Sequence, residues 1–318
     1  MDLAQKFEIH YHFLDKSHSM NALVKNKCEA EFLAVANEVA EILGVQLVWE
    51  SQALEEGGIR EIWVAIGSNN SQIALIISVL ALIWSTVPQT DQELVDLQKE
   101  ETRLSIEEKK LEIEKLKKEL EKEAPSQEAL KSASKIANDS YKVVTRRSNF
   151  YKSISGCEKV YLVGFSSLDI ESRHLGYELV VESSDFRKFI VTSNELQPLE
   201  IKSARIEIVS PVLKEGKAKW KGIYEGEHIS FSMDDREFKS AVLSRQISFK
   251  NGSEIVCVLL IHKKIDELGE VVTSGYSVDV VLENIESGLS KETPQGKRYL
   301  HTQKLLEAQI DLFGDQNA

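Results

Sequence analysis

Phe7, Ile9, Tyr11 and Phe13 alternate with Glu8, His10 and His12 across residues 6–14. A period of two predicts a strand with one buried face. Asp15–Ser19 reads as a polar turn, with Ser19 placed to cap the next element. From Asn21 to Leu43 the period changes: Cys28, Phe32, Val35, Val39 and Ile42 recur at helical spacing, and Gly44 supplies the stop. Val45–Trp49 reads as a second strand, so the chain begins as a βαβ-like unit. Gly57-Gly58 breaks the pattern before a short amphipathic stretch, Ile59–Ile66.

Ile73–Val87 has no period at all, because it is apolar on every side. Only Ser78, Ser85 and Thr86 interrupt it, and their hydroxyls can bond back to helix carbonyls. This predicts one continuous helix, fully buried. A membrane span needs about 20 apolar residues and core helices commonly show about 10–14. The run falls between, so lipid and a protein or oligomer core both remain open as its surroundings. Trp84 near one end suits an interface, but no Lys or Arg flanks the run closely.

Residues 91–123 switch to Glu, Lys, Leu, Gln and Arg, with no Gly or Pro. Glu107/Lys110 and Glu114/Lys118 sit at helical pairing distance. Leu97, Leu104 and Leu111 are seven apart, and Ile106, Ile113 and Leu120 form a second, rotated row. The stripe drifts, which predicts a long solvated helix or a weak coiled coil, with homo-oligomerisation through 71–123 as the corollary. Gln127–Tyr141 reads as a further short helix. From Lys159 onward short β-like runs dominate. Trp220–Tyr224 and Ile229–Met233 are joined by Glu225-Gly226-Glu227, and Asn251-Gly252 is a strong hairpin signal ahead of two further runs. The acidic start of Asp234–Phe238 suits a helix's first turn. Trp220, Phe231, Phe249 and Val258 are the expected core of a small barrel or strongly curved sheet.

The fold class is therefore α+β: a βαβ-like unit with an apolar helix, a long charged helix and a mostly antiparallel C-terminal β domain. The expected divisions are 1–70, an α/β unit; 71–88, the apolar helix; 89–140, a charged spacer; 141–290, a β-rich recognition domain; and 291–318, a tail. A chain of 318 residues is long enough for two cores.

Charge and chemistry narrow the functional classes. Net charge is −12, which demotes broad phosphate binding, although a local basic face is still open. Lys214, Lys217, Lys219 and Lys221 surround Trp220, so Trp220 with Tyr224 could stack a base; the plainer reading puts both aromatics in the barrel. Cys28, Cys157 and Cys257 are far apart, which argues against disulfides and structural zinc and for a reducing compartment. The first residues hold no apolar run after a basic start, so no secretory signal is expected. The expected location is cytoplasmic, with inner-membrane attachment if 73–87 enters lipid. His10 and His12 share one strand face and could begin a metal site with Cys28 or Glu29. The plainer reading is a hydrogen-bonded polar face, and no metal or cofactor is assigned. No nucleophile elbow, HExxH, P-loop or GxGxxG occurs, so no catalytic residue is assigned either.

Two resemblances add to this. Asp15-Lys-Ser-His-Ser-Met, Glu56-Gly-Gly-Ile-Arg-Glu-Ile-Trp63 and Ser210-Pro-Val-Leu with Lys219-Trp-Lys-Gly resemble a widespread bacterial family of uncharacterised proteins. That likeness implies a bacterial source, with a mobile-element or defence setting, and brings no activity. Gln309-Ile310-Asp311-Leu312-Phe313 resembles the short peptide by which bacterial proteins dock on the replicative sliding clamp. The resemblance implies that Gln309 reaches a polar pocket while Leu312 and Phe313 fill an apolar one. Against it, Leu305, Leu306, Gln309, Leu312 and Phe313 also share a helical face, which predicts a terminal helix packed on its own protein. The reading that joins these features is a non-enzymatic sensor or adaptor. A nucleotide- or nucleic-acid-binding β module is the alternative, and an enzyme without a recognisable motif is a third.

Overall fold

The computed structural model describes residues 3–15, 19–52, 59–88, 111–116, 118 and 125–314, the last eight by their backbone alone. The chain divides into two compact units. The first holds 1–195 with 265–271; the second holds 196–264 with 272–318.

The first unit is built on a five-stranded antiparallel sheet. Its strands are β1 (Lys6–Phe13), β2 (Val48–Ser51), β3 (Ile59–Ile66), β4 (Val160–Leu168) and β5 (Leu179–Glu182), in the order β2-β3-β1-β4-β5. β1 and β2 both pair antiparallel with β3, so they run parallel to one another with β3 between them. The βαβ-like start is thus present in split form, with the Ile59–Ile66 stretch as the inserted strand. The alternation in β1 holds: Phe7, Ile9 and Tyr11 are buried on the helix-covered face, aligned with Trp63 on β3 and with Phe165 and Val163 on β4.

Helix α1 (Ala22–Ile42) is capped by Asn21, whose side chain accepts from the Leu23 and Val24 N–H groups; the cap is therefore two residues beyond the Ser19 read from the sequence. Gly44 after its end has φ of 62°, the left-handed conformation the stop requires. Phe32 stacks on Phe7 with ring centroids 5.0 Å apart. α2 (Asn70–Ser85) is the apolar helix. It packs against α1, β4, β5 and α3 (Gln127–Asn138), so buried residues occur all round it. Its serines bond back as expected, Ser78 to the Ala74 carbonyl at 2.8 Å and Ser85 to that of Ala81 at 2.7 Å. The interior of this unit, rather than lipid or an oligomer core, is what surrounds α2. Among the described residues no helix is long and apolar enough to cross a membrane.

α4 (Tyr141–Ile154) is an element the sequence pattern did not reveal, and it packs along α1. Its apolar face carries Phe150 and Tyr151 to Trp84 of α2 and stacks Tyr151 on Phe189 at 4.1 Å. The β-rich domain expected from residue 141 therefore starts later, because α4, β4 and β5 belong to the first unit. Of the charged spacer, residues 111–116 are helical. Most of 89–124 and the Gly57-Gly58 break lie outside the described residues.

The second unit is a closed barrel. Its strands are β6 (Leu199–Ser210), β7 (Trp220–Tyr224), β8 (Glu227–Met233), β9 (Glu254–Ile265) and β10 (Val271–Glu286). β11 (Leu289–Glu292) adds to the edge of β10. The ring order is β6-β7-β8-β10-β9 and back to β6. β9 returns to lie beside β6, the Greek-key arrangement, and β8 pairs parallel with β10. Register shifts in β6 let it serve both β7 and β9. A five-stranded Greek-key barrel with a helix, α5 (Arg236–Leu243), between its third and fourth strands has the architecture of the OB type.

The β7–β8 turn forms at Glu225-Gly226 as expected, with both residues at positive φ. Asn251-Gly252 is a turn leading into β9, but Ile247–Phe249 before it is not a strand. Trp220 and Phe231 fill the barrel and Phe249 packs half-buried against them. Val258 is buried outside that cluster. Asp235 caps α5: one oxygen accepts the Phe238 N–H at 2.8 Å. Its other oxygen accepts from the Val281 N–H at 2.8 Å and from Gln295 at 3.1 Å.

Candidate functional site

The alternation that buries Phe7, Ile9 and Tyr11 sends His10 and His12 to the other face of the first sheet, where their ring centroids lie 3.7 Å apart. Opposite His10 on β4 is Gly164. Beyond β4 the chain folds back in a tight turn. Asp169 accepts from the backbone N–H groups of Glu171 at 2.9 Å and Arg173 at 2.8 Å, and Leu168 bridges to His174. Lys6 fastens this turn to β1 by donating to Ser172 at 2.8 Å. The returning chain lays the Glu178 side chain across Gly164, where a Cβ would stand 1.7 Å from its Oε1. No side chain larger than hydrogen leaves room for that carboxylate.

Glu178 Oε1 then sits 3.3 Å from His10 Nδ1 and 3.1 Å from His12 Nε2. The side chains are 13%, 24% and 30% exposed for His10, His12 and Glu178, so the group is mostly covered but still reached by solvent. Arg60 faces His10 from β3, and the buried Glu8 carboxylate lies 3.6 Å from that guanidinium. Burial, with the charges of His12 and Arg60, pulls the His10 pKa down to about 4 against the opposing Glu178 carboxylate. His10 is therefore neutral near pH 7. Among the described residues, one donor atom each from His10, His12 and Glu178 forms a group within 4.8 Å of one another.

Cys28 and Glu29, the partners the sequence offered for these histidines, do not join them. Cys28 is buried in the core on the helix-covered face, where burial drives its pKa upward, and Glu29 pairs with Lys25 at 3.8 Å. The third member is Glu178, 166 residues from His12. No local signal marked it. The one clue was a glycine inside a strand, between Val163 and Phe165, which commonly means a close approach.

In the barrel, Trp220 is 1% exposed and lies among Phe231, Phe238 and Phe249. It fills the interior and offers no face to a base. Tyr224 is half-buried against the same core. The lysines around them are exposed: Lys214, Lys217 and Lys219 on the β6–β7 loop, and Lys221 on the outer face of β7.

The tail residues Gln309, Ile310, Asp311, Leu312 and Phe313 fall in α6 (Pro294–Gly314). The helix is held at its start. Thr293 accepts the Gly296 N–H at 2.9 Å, and Tyr299 donates to Glu200 at 3.2 Å. From Leu300 to Leu306 nothing is buried, and Leu305 and Leu306 are 58% and 47% exposed.

Fold and site together define a two-unit α+β chain with an OB-type barrel and a three-residue imidazole–carboxylate group. Comparison with protein-family models, with curated proteins and with solved structures finds no match.

Proposed function

We propose that the chain is a non-catalytic adaptor that docks on the bacterial sliding clamp through Gln309, Ile310, Asp311, Leu312 and Phe313. The observation that carries this is the exposure of Leu305 and Leu306. A terminal helix packed on its own protein would bury both, since they share the stripe of Leu312 and Phe313. A docking peptide needs a segment whose anchors are not already spent on the protein's own core. The test is capture of the full chain on purified clamp, beside Leu312→Ala/Phe313→Ala. Binding at micromolar clamp that the double substitution abolishes supports the reading. No binding, or equal binding by both forms, overturns it.

A second reading rests on the barrel and is compatible with the first. OB-type barrels bind oligonucleotides along their second and third strands and the adjoining loops. Here those are β7, β8 and the loop bearing Lys214, Lys217 and Lys219. With Trp220 inside the barrel, recognition would run through phosphate contacts rather than stacking. An adaptor of this kind would hold single-stranded DNA near the clamp.

A further inference from the structure

We propose that His10, His12 and Glu178 form a binding site for one divalent first-row transition-metal ion, with zinc the ion that the donor set fits most directly. Two imidazole nitrogens and one carboxylate oxygen are the protein donors of many open zinc sites, which leave a fourth position for water or a ligand. The same trio also serves iron(II).

Geometry supports this beyond residue type. Zinc holds nitrogen and oxygen donors at about 2.0–2.2 Å, so two of its tetrahedral ligands stand roughly 3.3 Å apart. The His10–Glu178 and His12–Glu178 separations are 3.3 and 3.1 Å. Both pairs that include Glu178 are thus already at about that spacing, and all three donor atoms lie within 4.8 Å of one another, so closure on one ion takes side-chain rotation and no movement of the strands. The partial exposure of the three side chains supplies an entry path, and water or a ligand would take the fourth position. The arrangement is also built rather than incidental. It takes the Asp169 turn to bring Glu178 back and a bare Gly164 to let its carboxylate through. Arg60 opposes a cation here, and the buried Glu8 beside it offsets that charge.

The competing account is a purely hydrogen-bonded trio, in which Glu178 accepts from both rings and no ion is wanted. The two separate on metal binding by the full chain, freed of any affinity tag and stripped with a chelator. Zinc is titrated by calorimetry and cobalt(II) by visible absorption. The expected result is one ion per chain, a cobalt spectrum of nitrogen and oxygen donors without a thiolate charge-transfer band, and a rise in melting temperature on adding zinc. Glu178→Gln should weaken zinc binding at least about 100-fold, as even loss of an outer-shell partner costs about 10–100-fold. Gly164→Ala should weaken it as well, by displacing the carboxylate without removing a ligand. Melting of the metal-free variants shows that each is folded, and His12→Ala replaces any that is not. Absence of stoichiometric zinc binding, binding unchanged by Glu178→Gln, or a cobalt–thiolate band each overturns the proposal.

Discussion

Glu61 is a carboxylate in the wrong place by ordinary rules. It lies on the helix-covered face of β3 and is 4% exposed. Lys25 of α1 reaches it at 2.5 Å, and the Tyr11 hydroxyl donates to it at 3.3 Å. Burial still wins over both partners and raises the Glu61 pKa. Lys25→Ala should therefore leave a buried carboxylate without its counter-charge and cost about 3 kcal/mol near neutral pH. Because the folded pKa is raised, the protonated form is the one the fold prefers. The stability tied to Glu61 is present at low pH and lost as pH rises through its pKa. The penalty in Lys25→Ala should accordingly shrink toward pH 4. Denaturant unfolding of both forms at the two pH values checks this, and a pH-independent difference would contradict it. Gly164 makes a different point at the same scale: the absence of a side chain on β4 decides where Glu178, on the returning chain, can go.

At the scale of elements, α2 and α6 show opposite fates for apolar residues. α2 is apolar throughout because the sheet, α1 and α3 surround it, and a helix buried on all sides needs no polar face. α6 carries leucines that remain in solvent. Replacing Leu305 and Leu306 together by lysine should leave stability within about 0.5 kcal/mol per site, as expected of exposed positions. Trp220→Ala, by contrast, deletes the centre of the barrel and should cost about 3–5 kcal/mol. Thermal and denaturant melts of the two variants make the comparison. Strong destabilisation by the leucine substitutions would show that α6 packs after all, and would remove the support for a docking tail.

At the scale of the whole molecule, a net charge of −12 and a lysine-bearing barrel loop pull in opposite directions. Local charge decides contact with phosphate, because at physiological salt fields fade over about 8 Å. If the four lysines at 214, 217, 219 and 221 each meet a phosphate of single-stranded DNA, log affinity should fall against log salt with a slope of about −3. Replacing all four by glutamine should flatten that slope and weaken binding across sequences alike. Fluorescence anisotropy with a labelled oligonucleotide measures both. A slope near zero, or one unchanged by the substitutions, would turn attention from nucleic acid to a protein ligand for the barrel.

The sequence by itself determined the elements whose signals are local. The period of two in β1, the helical stripe and glycine stop of α1, the unbroken apolar run of α2 and the Glu225-Gly226 turn are written into consecutive residues, and each formed. It also placed Trp220 and Phe231 in the core of a small barrel or strongly curved sheet, because alternation assigns faces without knowing the partner strand, and the tertiary structure decided for the closed barrel. Tertiary structure alone decided what surrounds each face. Residues 73–87 read equally as a membrane segment or a core helix, since hydrophobicity measures transfer out of water and not the destination. α4 was hidden because its stripe mixes Arg147 and Ser148 with Val143, Phe150 and Tyr151, and only packing against α1 and α2 shows which side is interior. The unit boundary moved for the same reason: β4 and β5 look like any other strands until the pairing of β4 with the central strand β1, and of β5 with β4, is known. His10 and His12 were legible as a pair, as an i, i+2 spacing on a strand must be. Glu178 was not, because its place beside them depends on a turn, a glycine on another strand and a chain reversal, none of which leaves a pattern near the histidines.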